Sequence, residues 1–329
     1  VKNDPSAKVG HNGADVVPAS EKDRVQAGNS EAASKRRDWT VLEVLAWTAS
    51  RFSERAMDSP RLDAELLIAH VLGISRVQLY MRAQDLLSSE TLARIREVIK
   101  RRQAGLSIAA ITGHKEFWGL SFEVDENVLC PRPDSETLIE DVQERAAALP
   151  PGPLRIVDVG TGPGTLVLTL AHVFKRNRQG SHFFATDVSE AALSVAGRNA
   201  ARMSTVVAFR QGDLLAPLSS EPPFDVIVAN LPYIPTGDIS GLPPEVRHEP
   251  VLALDGGADG LELVRRLIAR APARLNPGGL LVLEIGIGQA QATAALCGGA
   301  GLVDVRVRRD LGGVDRVVSA HKPQTETRA

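Results

Sequence analysis

Four short stretches of this chain combine residue types and spacings that can do chemistry. The first is Asp158-Val159-Gly160-Thr161-Gly162-Pro163-Gly164, between an apolar run and a helical pattern from about Thr165. Glycines in a strand-to-helix turn let a ligand approach the backbone, and the helix start offers free N–H groups. A dinucleotide pyrophosphate site wants G-x-G-x-x-G. Here Gly160, Gly162 and Gly164 give G-x-G-x-G, with Thr165 where the third glycine would fall. That spacing disfavours a nicotinamide cofactor and suits S-adenosylmethionine better. The second is Asp187, ending the next strand. A carboxylate there can accept both ribose hydroxyls of an adenosine. Ser189 is the more natural cap of the following helix, which leaves Asp187 free. The third is Gly212-Asp213-Leu214, where Asp213 can bond an adenine amino group and Leu214 can pack the ring; an exposed loop acid is the plainer alternative.

The fourth is Asn230-Leu231-Pro232-Tyr233, directly after the apolar run Phe224–Ala229. The Asn230 Oδ1 and the Leu231 carbonyl can each accept one N–H of a substrate NH2, and Tyr233 can lie against its plane. Such a nitrogen has its lone pair delocalised into a carbonyl or ring. Two fixed acceptors aim that lone pair and stabilise the positive charge that grows as a methyl group arrives. No strong general base accompanies the motif. His248 lies in the following loop and reads as a surface residue. No metal is expected.

These stretches need a scaffold that brings them together. From residue 154 onward strands and helices alternate: strands at Leu154–Val159, Phe183–Thr186, Thr205–Arg210, Phe224–Ala229 and Leu280–Ile285, with helices from Thr165 and over Glu190–Met203, Asp259–Leu275 and Gly288–Leu296. Alternation of this kind predicts an α/β fold with a mostly parallel sheet covered on both faces. The last pair, Val303–Val307 and Asp315–Ala320, is too close for a crossover helix and reads as an antiparallel hairpin. Ligands in open α/β sheets bind outside the carboxyl ends of strands, where the glycine turn and the tetrapeptide both fall.

Upstream, residues 38–104 read as a small helical domain. Thr40 caps the first helix, Ser59-Pro60 starts the second and Gly73 stops it, and a third begins near Ser88 or Ser89. The third ends in Lys100-Arg101-Arg102, which suits the negative end of a helix dipole better than a nucleic-acid patch. Residues 105–133 form a linker with a hairpin turning at Gly119. Its Phe117, Trp118 and Phe122 serve either to glue two domains together or to line a substrate entrance. Residues 134–322 form the catalytic domain. Residues 1–37, including Lys35, Arg36 and Arg37, and residues 323–329 read as solvated tails.

Composition narrows the partners. The chain of 329 residues is 43% hydrophobic and 24% charged, with a formal charge of -2. No apolar run approaches the ~20 residues of a membrane helix, and the near-neutral charge disfavours a surface built to grip phosphate backbones. The two cysteines, Cys130 and Cys297, cannot form a disulfide framework and read as buried free thiols in a reducing, cytoplasmic setting.

Residues from about 39 to 320 resemble the protein-(glutamine-N5) methyltransferases of the HemK/PrmC family, which modify peptide chain release factors. The resemblance runs in order through Thr112-Gly113-His114-Lys115-Glu116-Phe117-Trp118-Gly119, Pro131-Arg132-Pro133-Asp134-Ser135-Glu136-Thr137 and Val157–Gly162. It continues through Asn230–Tyr233, Glu245-Val246-Arg247 with Glu249-Pro250, and Asp255-Gly256-Gly257 with Asp259-Gly260-Leu261. It implies a helical substrate-recognition domain, a hairpin linker and a seven-stranded, Rossmann-like methyltransferase domain. It also implies the glutamine of the Gly-Gly-Gln tripeptide in class 1 release factors as substrate, and S-adenosylhomocysteine as product. Carried over by motif, Gly160, Thr161, Gly162, Pro163, Gly164, Asp187, Asp213, Leu214 and Asn230 bind S-adenosylmethionine, and Asn230, Leu231, Pro232 and Tyr233 hold the amide. The family usually has Asn-Pro-Pro-Tyr, and Leu231 departs from it. Asn-Leu-Pro-Tyr is also the form seen in ribosomal RNA adenine dimethylases, so an N6-adenine methyltransferase acting on RNA or DNA is the alternative. The flanking helices and hairpin favour the protein substrate.

Overall fold

A computed structural model describes residues 38–324 of the chain; both predicted tails, apart from Pro323 and Gln324, lie outside the described residues. Helix α1 (Val41–Ser53) starts with a capping box: the Thr40 hydroxyl accepts from the Glu43 N–H, and the Glu43 carboxylate accepts from the Thr40 N–H. Helix α2 (Pro60–Leu72) has its proline at the first position and ends at Gly73, which is left-handed. Ser59 makes no side-chain cap bond, so the proline alone marks that start. Two short helices went unforeseen, α3 (Arg76–Met81) and, after α4 (Ser89–Gln103), α5 (Ile108–Thr112). They are too short to show a helical repeat. Leu45, Phe52, Leu67, Ile68 and Ile95 form the core of this helical part.

The basic run ends α4, as expected, but Arg102 does more than face the helix dipole. Its side chain turns inward, 6% exposed, to pair with Asp63 of α2 at 2.8 Å and with Glu245 far along the chain at 2.5 Å.

Strands β1 (His114–Phe117) and β2 (Leu120–Glu123) form the predicted hairpin. Trp118 and Gly119 both have positive φ, as a two-residue type I′ turn requires. Phe117 and Phe122 meet edge to face, with ring centroids 6.3 Å apart, and are buried with Leu138, Ile156 and Leu166. They fasten the hairpin to the sheet that follows, in a core that holds no residue of the helical part. The Trp118 N–H donates to Glu136 at 2.9 Å.

The remaining elements are α6 (Glu136–Ala146), β3 (Arg155–Val159), α7 (Thr165–Asn177), β4 (His182–Asp187), α8 (Glu190–Arg202), β5 (Ala208–Gln211), β6 (Phe224–Ala229), α9 (Pro244–Arg247), α10 (Glu262–Arg274), β7 (Leu275–Glu284), α11 (Ala290–Gly299), β8 (Val303–Arg309) and β9 (Asp315–His321). Seven strands form one sheet in the order β5-β4-β3-β6-β7-β9-β8. The first five are parallel, and β8 and β9 form the antiparallel pair. Alternate residues enter different cores: Ile156, Val226 and Val228 on one face, Val157, Ile227 and Ala229 on the other. Strand order reverses between β3 and β6, which opens a crevice at their carboxyl ends. No helix of the described residues is long and apolar enough to cross a membrane.

Removing one partner of a buried ion pair strands the other charge. Arg102→Met is therefore expected to lower the unfolding free energy by about 3 kcal/mol, read from urea denaturation; an unchanged midpoint would contradict the pairing.

Candidate active site

The crevice holds a cavity of about 350 Å³. Its walls include the glycine turn after β3, Asp187 at the end of β4, Gly212 to Leu214 after β5, and Asn230 to Pro232 after β6. The four sequence stretches thus converge, and of the predicted site residues only Gly164 and Tyr233 do not line the cavity.

The glycine turn is tied to the neighbouring strand. The Gly160 and Thr161 N–H groups both donate to the Thr186 carbonyl, at 2.8 and 3.0 Å. Below them Asp158 is fully buried and accepts from the Thr161 hydroxyl at 2.6 Å and the Val167 N–H at 3.2 Å. Burial pushes its carboxyl up to about 7 despite those donors. Gly164, left-handed at the start of α7, shapes the turn from behind.

Asp187 accepts from the Gly162 N–H and the Ser189 N–H, both at 2.9 Å. The Ser189 hydroxyl caps α8, as expected. Burial raises the Asp187 carboxyl above its ordinary range. Asp213 is less free than its loop position suggests. Its Oδ2 accepts from Arg266 of α10 at 2.6 Å, and only Oδ1 is open to a ligand. Arg266 itself lines the cavity, a cation that sequence spacing did not reveal. Leu214 is buried with positive φ, and its side chain belongs to the wall.

Asn230 carries the sharpest feature. Its Nδ2 donates to the Ser135 hydroxyl at 3.3 Å, while its Oδ1 is buried without a partner. The Leu231 carbonyl accepts no hydrogen bond from the described residues. The Leu231 side chain is buried against Gly160, where an added Cβ would stand 2.9 Å from Leu231 Cδ2. Burial pushes the Tyr233 phenol up to about 12, and its ring lies over Gly286. The Tyr233 carbonyl accepts from Gln289 at 2.9 Å and crowds Gly260, which leaves no room for a side chain there. This close backbone approach ties the Asp259-Gly260-Leu261 turn to the tetrapeptide.

Pro131, Arg132 and Ser135 also line the cavity. Arg132 bonds both oxygens of Glu249 at 2.8 and 2.7 Å, and Ser135 reaches Asn230. Sequence spacing missed both Ser135 and Glu284. Glu284 ends β7 beside Asn230, since the register pairs Ala229 with Leu283. Burial pushes its carboxyl up to about 7. His248 is exposed, packs near Gly105 and is absent from the cavity wall. Cys130 and Cys297 are buried free thiols.

Residues 43–113 match the PrmC N-terminal domain, and residues 153–270 match a methyltransferase domain. The release factor glutamine methyltransferase of Geobacter sulfurreducens is 39% identical over 281 residues, covering 85% of this chain and 96% of that protein. That of Moorella thermoacetica is 41% identical over 286 residues, covering 86% of this chain and 99% of that protein. The chain belongs to the release factor glutamine methyltransferase family. Among solved structures, the hMettl16 catalytic domain in complex with the MAT2A 3′UTR hairpin 1 shares the fold, with TM-score 0.50 and 16% identity over 86% of this chain and 92% of that one. This chain pairs an N-terminal helical part with a methyltransferase sheet.

Asp158 and Glu284 hold protons to higher pH in the folded chain than an unfolded carboxyl does. Their contribution to stability is complete below the unfolded pKa of about 4 and is lost as pH rises through about 7. The unfolding free energy is therefore expected to fall by about 5 kcal/mol between about pH 5 and pH 8. Asp158→Asn should remove part of that slope in urea titrations; an identical slope in the variant refutes the assignment.

Proposed function

We propose that this protein transfers a methyl group from S-adenosylmethionine to N5 of the glutamine in the Gly-Gly-Gln tripeptide of class 1 peptide chain release factors. The single observation that carries the reading is the Asn230 Oδ1, buried at the cavity wall with no partner. An unmade buried hydrogen bond costs about 1–3 kcal/mol, a cost that an incoming N–H donor relieves. The Leu231 carbonyl is the second acceptor. Together the two match the hydrogens of a primary amide, aim its lone pair, and stabilise the cationic nitrogen of the transition state. Proton loss follows methyl transfer, because the alkylated nitrogen is strongly acidic; no dedicated base is required.

The remaining walls fit the methyl donor. Each Asp187 oxygen accepts one backbone N–H and keeps a lone pair for a ribose hydroxyl. Asp213 Oδ1 can accept an adenine amino hydrogen, and Leu214 offers an apolar surface to the ring. A side chain at Gly162 would meet no protein atom, so the wall is open there. When bound, S-adenosylmethionine supplies an electrophilic methyl group on a sulfonium. Helices α1–α5 are assigned recognition of the release factor, a cytoplasmic partner. The names of the curated relatives favour glutamine over adenine.

Labelled S-adenosylmethionine with a release factor or with RNA tests the reading. Label on the release factor that disappears when the Gly-Gly-Gln glutamine is changed to alanine supports it; label on RNA alone overturns it. Asn230→Ala is expected to lower kcat by about 10²–10³-fold, with cofactor affinity measured by calorimetry nearly unchanged. Leu231→Pro keeps the carbonyl and the extended geometry before Pro232, and is expected to retain activity in the same assay.

A further inference from the structure

A carboxylate sits beneath the site with no assigned work. Glu284 is 1% exposed, and its Oε2 has no hydrogen-bond partner. The β6–β7 register sets Glu284 beside Asn230, and the Ser135 hydroxyl and the Asn230 side chain both favour its charged form. Ser135 in turn accepts from Asn230 Nδ2 at 3.3 Å. The other charged or titratable groups facing Glu284 are Arg316 of β9, Asp134 beside Ser135, and the Tyr233 phenol. Arg316 is engaged elsewhere, with Asp310 at 3.1 Å and Asp134 at 3.4 Å.

An asparagine amide presents an oxygen and a nitrogen of nearly equal size, so packing alone does not choose which one faces the substrate. We propose that Glu284 is a positioning residue for methyl transfer, the acceptor-only end of a chain Asn230 Nδ2–H to Ser135 Oγ–H to Glu284 that holds Asn230 Oδ1 toward the substrate. This rests on the glutamine-methylation reading above. An ionised Glu284 has only lone pairs, so the Ser135 proton points at it and the Ser135 oxygen must take the Asn230 N–H. A flipped Asn230 would set its Oδ1 against lone pairs and turn its NH2 toward the substrate NH2, donor against donor. Protonation of Glu284 removes the bias, because its O–H can donate back along the chain. Burial places that protonation near neutral pH, and the ionised form acts above it.

The test is the pH dependence of kcat for methyl transfer to a release factor. Wild-type kcat is expected to rise through a limb at about pH 7. Glu284→Gln presents both a donor and an acceptor at every pH. Its kcat is expected to fall about tenfold and to lose the limb, with release-factor KM and cofactor Kd within about twofold of wild type. Ser135→Ala removes a donor to the carboxylate, so its kcat falls and its limb moves to higher pH. Glu284→Gln with the wild-type kcat and limb overturns the proposal. If that variant fails to fold, a Ser135→Ala limb at the wild-type pH overturns it instead. A wild-type enzyme that leaves the release factor unmethylated refutes the function itself, whereas an active wild type with unaffected variants refutes only the role of Glu284.

Discussion

An amide oxygen left without a donor inside a protein is a standing cost, and the active site is arranged around keeping one. Asn230 stands at the carboxyl end of β6, where the strand stops pairing and its side chain faces the crevice. Holding the oxygen open requires that the nitrogen be held closed, which brings in Ser135 from the start of α6. That contact spans 95 residues of sequence and depends on the hairpin and α6 being docked on the sheet. The packing of Phe117, Phe122 and Leu138 under β3 does this docking. The hydrophobic core therefore serves the site by fixing one distance across it.

The second constraint is on the segment that follows the tetrapeptide. Residues 244–250 contain a short helix of four residues, α9, which cannot be stable alone. They are clamped from two sides: Glu245 by Arg102 of the helical part, and Glu249 by Arg132 of the linker. Pro250, Leu252 and Ala253 then continue into the cavity wall. The helical part is thereby joined to the active site through charge pairs that are partly or wholly out of water, where such pairs are hardest to break.

The sheet and the cofactor-side motifs were legible because their signals are local. The β3 turn, Asp187, the Ser189 cap and β6 follow from apolar runs, glycine spacing and capping chemistry within a few residues of each other. Boundaries shifted where local signals conflict: β5 begins at Ala208, and β7 starts at Leu275, ahead of Pro277 and Gly278, which read as a breaker. What stayed hidden was set by register and by distant partners. Glu284 looks like any strand-end acid until β7 lies beside β6, and Ser135 like any helix-start serine. Arg102 reads as a helix-end charge because nothing nearby shows that Asp63 and Glu245 wait for it. Asp213 reads as a free acceptor for the same reason, since Arg266 lies 53 residues away.

Leu231 shows how a departure from a motif can be absorbed. The working group at that position is the carbonyl, and Pro232 restricts the preceding residue to extended backbone whichever side chain it carries. The side chain is then free to do structural work, and Leu231 packs under Gly160 with 4% exposure. Position 160 suits glycine on two counts: φ is +74°, and a Cβ there would stand 2.9 Å from Leu231 Cδ2. The glycine turn and the Asn230–Tyr233 stretch are therefore in direct van der Waals contact. A shift of either one moves the other, so the two behave as a single packed unit.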